Sequence, residues 1–140
     1  MVKFLTRTDV GPLVPAVETE DTWMVSWVFA AEPSSVAGAR HATADRLARW
    51  GFRHRAAAAE ALVAELMEAA LGTCDRIRLT LTAEDGLLRG EVERIYPTPR
   101  RPDGRAGRLL ARVACCWGHA ATAEGTADWF ELPPSSGFHA

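Results

Sequence analysis

The chain reads as an α+β domain: a two-layer α/β sandwich whose mixed, largely antiparallel sheet carries its helices on one face. Three observations predict this. The stretch His54–Gly72, HRAAAAEALVAELMEAALG, has the period of one amphipathic helix. The stretch Arg76–Thr82, RIRLTLT, alternates strictly between polar and apolar residues, as a half-buried strand does. The remaining segments fall in the order strand, helix, helix, strand, strand, loop and helix, strand, strand, and two of the junctions carry hairpin-turn residues.

Length and composition bound the reading. The 140 residues suit one domain with one core; 48% are hydrophobic and 24% charged, and the net charge of -2 gives no reason to expect nucleic-acid binding. No apolar run approaches the ~18–20 residues of a membrane-spanning helix. The N-terminus lacks a charged-then-apolar leader, so a cytoplasmic location is expected. Three cysteines, two of them adjacent at Cys115 and Cys116, make no disulfide framework and fit a reducing compartment.

Met1–Asp21 is broken by Gly11, Pro12 and Pro15 and shows no sustained period. It is expected to be a loosely attached arm, either frayed or used in partner binding or a dimer swap. The globular domain then spans 22–133, followed by a tail at 134–140. Thr22–Ala30, TWMVSWVFA, is a strand by its aromatic and branched residues, with Trp23, Val25, Trp27 and Phe29 on one face. Bulky groups on both faces imply a strand covered on both sides, by a dimer contact or by the arm. Pro33–Trp50 is a helix with Val36, Arg40, Thr43, Leu47 and Trp50 to one side, ended at Gly51. The next helix presents Ala59, Leu62, Val63, Leu66, Met67 and Ala70 as its apolar stripe, with Glu65 and Ala69 one above the other on a second face.

Ile77, Leu79 and Leu81 point inward from the next strand. Glu84-Asp85-Gly86 is a tight turn, and Leu87–Ile95 returns with Leu88, Gly90, Val92 and, by parity, Arg94 facing inward. Tyr96–Gly107 is a loop rich in proline, glycine and arginine. Arg108–Trp117 is a helix, and Ala120–Ala123 with Thr126–Leu132 forms a closing hairpin about Glu124-Gly125. His41 and His54 read as surface residues. Cys115, Cys116, His119 and Cys74 hold metal-capable atoms, but adjacent cysteines on a helix diverge by about 100°, and core filling suits them better than one tetrahedral ion. No metal is expected.

Five phrases carry a resemblance. AEPSSVAGAR at Ala31–Arg40, LVAEL at Leu62–Leu66, LLRGEVE at Leu87–Glu93, GRAGRLLARVACCWG at Gly104–Gly118 and WFELP at Trp129–Pro133 stand in the order found in the anti-sigma-factor serine kinases. Over about Trp23–Pro133 the chain resembles that family, which belongs to the histidine-kinase-like (GHKL, or Bergerat-fold) ATPases. The resemblance implies a Bergerat-like sandwich with its nucleotide pocket between the central helix, the hairpin strand and the glycine-rich loop.

Carried over residue by residue, it also implies a vacated pocket. The general-base position is Glu65, retained. The position of the magnesium-binding Asn is Ala69, whose methyl group offers no oxygen to a hard cation. The Asp that accepts from the adenine amino group is replaced by Arg94, which has donors only. Gly104 and Arg105 keep part of the phosphate loop, but Ala106 breaks it and Gly107 is a shifted substitute. The Lys-Thr pair before the last strand is Thr126-Ala127. These changes remove metal, adenine and phosphate contacts together, and phosphoryl transfer depends on them.

The function expected is therefore that of a non-catalytic regulatory protein, a degenerate anti-sigma-type module acting by protein–protein binding in bacterial transcription control. It would need no cofactor. Its partner would be a sigma factor, an anti-sigma antagonist or a small DNA-binding regulator, and it would be a homodimer through its first strand, with neither nucleic acid nor membrane bound directly. Arg100, Arg101, Arg105, Arg108 and Arg112, with Trp23 and Trp27, form the candidate partner patch. Arg94 and Glu65 are expected to pair inside the old pocket. The alternative is a residual ATP-binding serine/threonine kinase (an anti-sigma factor kinase) or ATPase with a rearranged site, with Glu65 as base, the Gly104–Gly107 loop on phosphate, and Mg-ATP as its cofactor.

Overall fold

A computed structural model describes residues 12–18, 22–97, 114 and 116–133. The strands are β1 (Pro12–Glu18), β2 (Thr22–Ala30), β3 (Cys74–Glu84), β4 (Leu87–Pro97), β5 (Cys116–Ala121) and β6 (Gly125–Leu132). The helices are α1 (Ser34–Arg49) and α2 (Ala56–Ala70), the latter entered through a 3-10 turn at Arg53–Arg55. The sheet order is β1-β2-β3-β4-β6-β5, and every pairing is antiparallel. The architecture is thus α+β with an open sheet, and the mixed sheet expected from the sequence is a wholly antiparallel one among the described residues.

The first correction concerns the arm. Pro12–Glu18 is a strand hydrogen-bonded along β2, not a loose segment and not a cover over the sheet's outer face. Proline is compatible with this place because β1 is an edge strand, where missing N–H donors can face away from the ladder. Its register slips between Pro12 and Val14 and again between Val14 and Val17. β2 is consequently paired along both of its edges.

The sheet's inner face is fixed by register. Val25, Trp27 and Phe29 lie opposite Leu81, Leu79 and Ile77, and these lie opposite Gly90, Val92 and Arg94. All the apolar residues in this grid are buried. Gly90 is required where it stands: a Cβ there would lie 2.3 Å from the Phe130 ring carbon Cζ, so the ring of β6 occupies the space of the missing side chain. The β3–β4 turn places Asp85 at φ 54° and Gly86 at φ 83°, the left-handed pair that a two-residue hairpin of this twist needs.

The apolar stripe of α2 is buried at every expected position: Ala59, Leu62, Val63, Leu66, Met67 and Ala70. α2 lies across β4 and its neighbours β3 and β6, while α1 packs beside it over β2. α1 buries Val36, Ala39, Thr43 and Leu47; Thr43 donates its hydroxyl to the Ala39 carbonyl at 2.8 Å, which satisfies it within the core. Arg40, expected on this side, is exposed and reaches Glu60 instead, because the buried stripe passes through Ala39. Gly51, at φ 85°, ends the α1 region as expected. Arg55 clamps the start of α2 to the end of β6 by donating to the carbonyls of Leu132 and Pro133, and its guanidinium stacks 4.5 Å from the Phe52 ring. Burial lowers its pKa from the usual arginine value.

Near the C-terminal end, Cys116 and Trp117 belong to β5 rather than to the end of a helix, and the hairpin begins four residues earlier than its expected start at Ala120. Its turn is braced from the outer face. Arg78 pairs with Glu93 at 2.8 Å and with Glu124 at 3.3 Å, Thr122 donates to the second Glu93 oxygen, and the same hydroxyl accepts the Gly125 N–H at 3.0 Å.

Candidate functional site

The inner face is apolar under the helices and becomes polar toward the β5 edge. On β6 the period-2 pattern GTADWFEL puts Thr126, Asp128, Phe130 and Leu132 on the inner side. Phe130 and Leu132 complete the core. Asp128 lies opposite Val92 of β4 on one side and opposite His119 of β5 on the other. Arg94 lies opposite Thr126, so Asp128 is its diagonal neighbour, a separation that a long side chain spans.

The resulting row runs across three adjacent strands. Arg94 Nη1 is 3.1 Å from Asp128 Oδ2, and His119 Nδ1 is 2.7 Å from Asp128 Oδ1. The gradient of exposure along it is steep: the side chains are 5% exposed at Arg94, 17% at Asp128 and 59% at His119. The buried Arg94 charge is therefore matched at the protein's interior end of the row, while the imidazole meets solvent at the other. Arg94 Nε is buried without a hydrogen-bond partner. An arginine at such a place requires a counter-charge, since an uncompensated buried cation is costly.

This corrects the expected pairing of Arg94 with Glu65. The carboxylate that meets Arg94 comes from the neighbouring strand, because β6 register sets Asp128 within reach. Glu65, half-buried on α2, makes no ion pair among the described residues. Ala69 packs against the core as a small filler. Arg94 and Thr126 are brought together as cross-strand neighbours, and Arg94 does face inward as parity indicated. Gly104, Arg105 and Gly107 lie outside the described residues, as do Arg100, Arg101, Arg108 and Arg112.

One member of the partner patch, Trp27, is corrected. Trp27 is 5% exposed within the core. Trp23 packs against Trp50 at 5.6 Å between ring centroids and against Phe52 at 6.0 Å. Both share the helix-facing side of β2 with Val25 and Phe29, where Trp27 is part of the core and Trp23 is half-buried.

The metal-capable residues also separate. Cys116 and His119 are three apart on one strand and project to opposite faces. Cys74 is buried at the start of β3, with its Sγ 3.6 Å from the Ala70 carbonyl. Burial pushes the Cys74 thiol up, against smaller opposing effects from Thr73 and Arg94. Cys115 lies outside the described residues. His41 and His54 are exposed, as expected.

Asp128 was the residue that mattered and that sequence motifs did not single out. Its signal was available in the alternation of β6, where a carboxylate shares parity with Phe130 and Leu132 and with an inward arginine one strand away. No helix among the described residues is long and apolar enough to cross a membrane. No protein-family model and no curated protein matches the chain.

Proposed function

We propose that this chain is a non-catalytic binding module on a Bergerat-like frame, of the degenerate anti-sigma type, that acts by holding another protein in bacterial transcription control. The observation that carries the reading is Arg94. At the position where the resemblance requires an adenine-binding carboxylate stands a cation, 4% exposed and engaged by Asp128. A base whose amino group must donate finds a guanidinium that also only donates. In this reading, that side chain and its ion pair with Asp128 take the place of the base. Ala69, on the adjoining face of α2, supplies no oxygen for magnesium. The retained Glu65 thus has neither an aligned metal nor an aligned base to work with, and such a module contributes shape and charge rather than phosphoryl transfer.

The chemistry of the partner follows from this reading: a sigma factor, an anti-sigma antagonist or a small DNA-binding regulator. Thermal unfolding with and without Mg-ATP and Mg-ADP tests the vacated pocket. A nucleotide present at a hundredfold over its dissociation constant raises stability by about 2.7 kcal/mol, a shift easily read. We expect no shift at millimolar nucleotide. A saturable rise with either nucleotide would overturn the reading in favour of the residual kinase, and an affinity capture in which no transcription regulator is retained would remove its second half.

A further inference from the structure

The two edges of the sheet are built differently. β1 carries Pro12 and Pro15, which lack N–H donors, and its ladder is interrupted twice. Such an edge is a poor template for another strand. β5, CWGHAA, pairs without interruption through all of its residues on one side. It contains neither proline nor Lys, Arg, Asp or Glu, the usual devices that keep an edge single. Its side chains are exposed at every position except the half-buried Gly118, and Trp117 leaves 47% of its surface open. Among the described residues β6 is its one neighbour.

We propose that β5 is the pairing edge of a two-fold homodimer, with β5 of one protomer antiparallel to β5 of its partner about an axis through Gly118. The inference is independent of the anti-sigma reading. A two-fold axis normal to the sheet must pair some residue with its own copy, and it keeps the inner faces of both protomers on one side. With Gly118 on the axis, Trp117 lies opposite the partner's His119, and the same contact recurs by symmetry. Each joins a large apolar ring to an imidazole already anchored by Asp128, 2.7 Å away. On the outer face Cys116 lies opposite the partner's Ala120, small against small. Moving the axis to His119 would set two imidazoles against each other and strand the indole beside an alanine.

Gly118 suits the axis for a second reason. A Cβ there would lie 2.7 Å from Trp129 Cζ2, so the Trp129 ring lies over Gly118 on the outer face. That ring is itself covered by Arg89, 4.4 Å from its centroid. The dimer therefore brings an aromatic–cation stack from each protomer to either side of the axis. The strand's six residues provide the hydrogen-bonded seam, and the aromatic pairs on the two faces provide its apolar area.

Oligomeric state and register test this together. The wild-type chain is expected to be a dimer by light scattering at micromolar concentration. Trp117→Lys and Ala120→Lys each place a charge on both strands of the seam, and each is expected to weaken dimerisation about tenfold or more. Circular dichroism reports whether the protomer fold is kept. The Ala120→Cys variant is expected to form a disulfide-linked dimer with Cys116 under mild oxidation, lost when Cys116→Ser is added. The wild type sets the background from its own thiols. A monomeric wild type, an open-ended polymer, undiminished dimerisation of both lysine variants, or no link between residues 116 and 120 would each overturn the proposal.

Discussion

Replacing Arg94 by methionine, which keeps most of its volume, isolates the charge from the packing. At 3.1 Å and an effective dielectric of about 20, the attraction between Arg94 and Asp128 is on the order of 5 kcal/mol before desolvation. The exposures of 5% and 17% leave little room for solvent to screen it. Losing one partner of a buried pair costs about 3–5 kcal/mol, because the survivor stays desolvated. His119 remains on the other oxygen of Asp128, so the lower end of that range, about 3 kcal/mol, is expected. For a domain of this size the fall in Tm is roughly 10 °C. The double variant Arg94→Met with Asp128→Leu removes the orphaned charge as well. It should recover most of the loss, since apolar replacement of a buried pair is often neutral or stabilising. Denaturant melts of the wild type, both single variants and the double variant close the cycle. A coupling energy below about 0.5 kcal/mol would show that the ion pair does not hold this end of the inner face.

Other outcomes follow from single features. Gly90→Val drives a branched side chain into the Phe130 ring and should cost several kcal/mol or prevent folding, read by denaturant melts, whereas Gly38→Ala meets only an ordinary 3.6 Å contact with Phe29 and should gain about 0.5–1 kcal/mol. Leu66→Ala, at a fully buried position of α2, should cost about 3–5 kcal/mol in the same assay. Cys74, whose thiol is pushed up by burial from about 9, should resist thiol reagents in the folded protein while exposed Cys116 reacts, as peptide mapping would show. Because the folded-state value is the higher one, the stability it reflects is present below the unfolded value and declines as pH rises above about 9; Cys74→Ala should flatten that alkaline decline in pH-dependent melts.

Much of the fold was legible because its strongest signals were local. The stripe from Ala59 to Ala70, the alternation of Ile77, Leu79 and Leu81, and the Asp85-Gly86 turn each specify their own geometry within a few residues. β1 was missed because the prolines that forbid a central strand are permitted at an edge, and only the tertiary position of β2 makes Pro12–Glu18 an edge. The arginine-, leucine- and alanine-rich approach carries a helical period up to Cys116 and Trp117, and pairing with β6 overrides it. At the site, parity along β4 correctly turned Arg94 inward. Glu65 of α2 is the carboxylate that the local sequence offers it, whereas the register between β4 and β6 supplies the one it meets, Asp128.

The clamp from Arg55 to the carbonyls of Leu132 and Pro133, together with the link from Arg94 to Asp128, has a consequence for biogenesis. Both cations are synthesised well before the residues that answer them. While the ribosome is still adding β5, the helical layer has a sheet with an unfilled margin, an interior arginine with no counter-ion and a helix entrance with nothing to grip. The last strand among the described residues, β6, thus acts as a latch, and closure of the domain waits until that latch has left the exit tunnel.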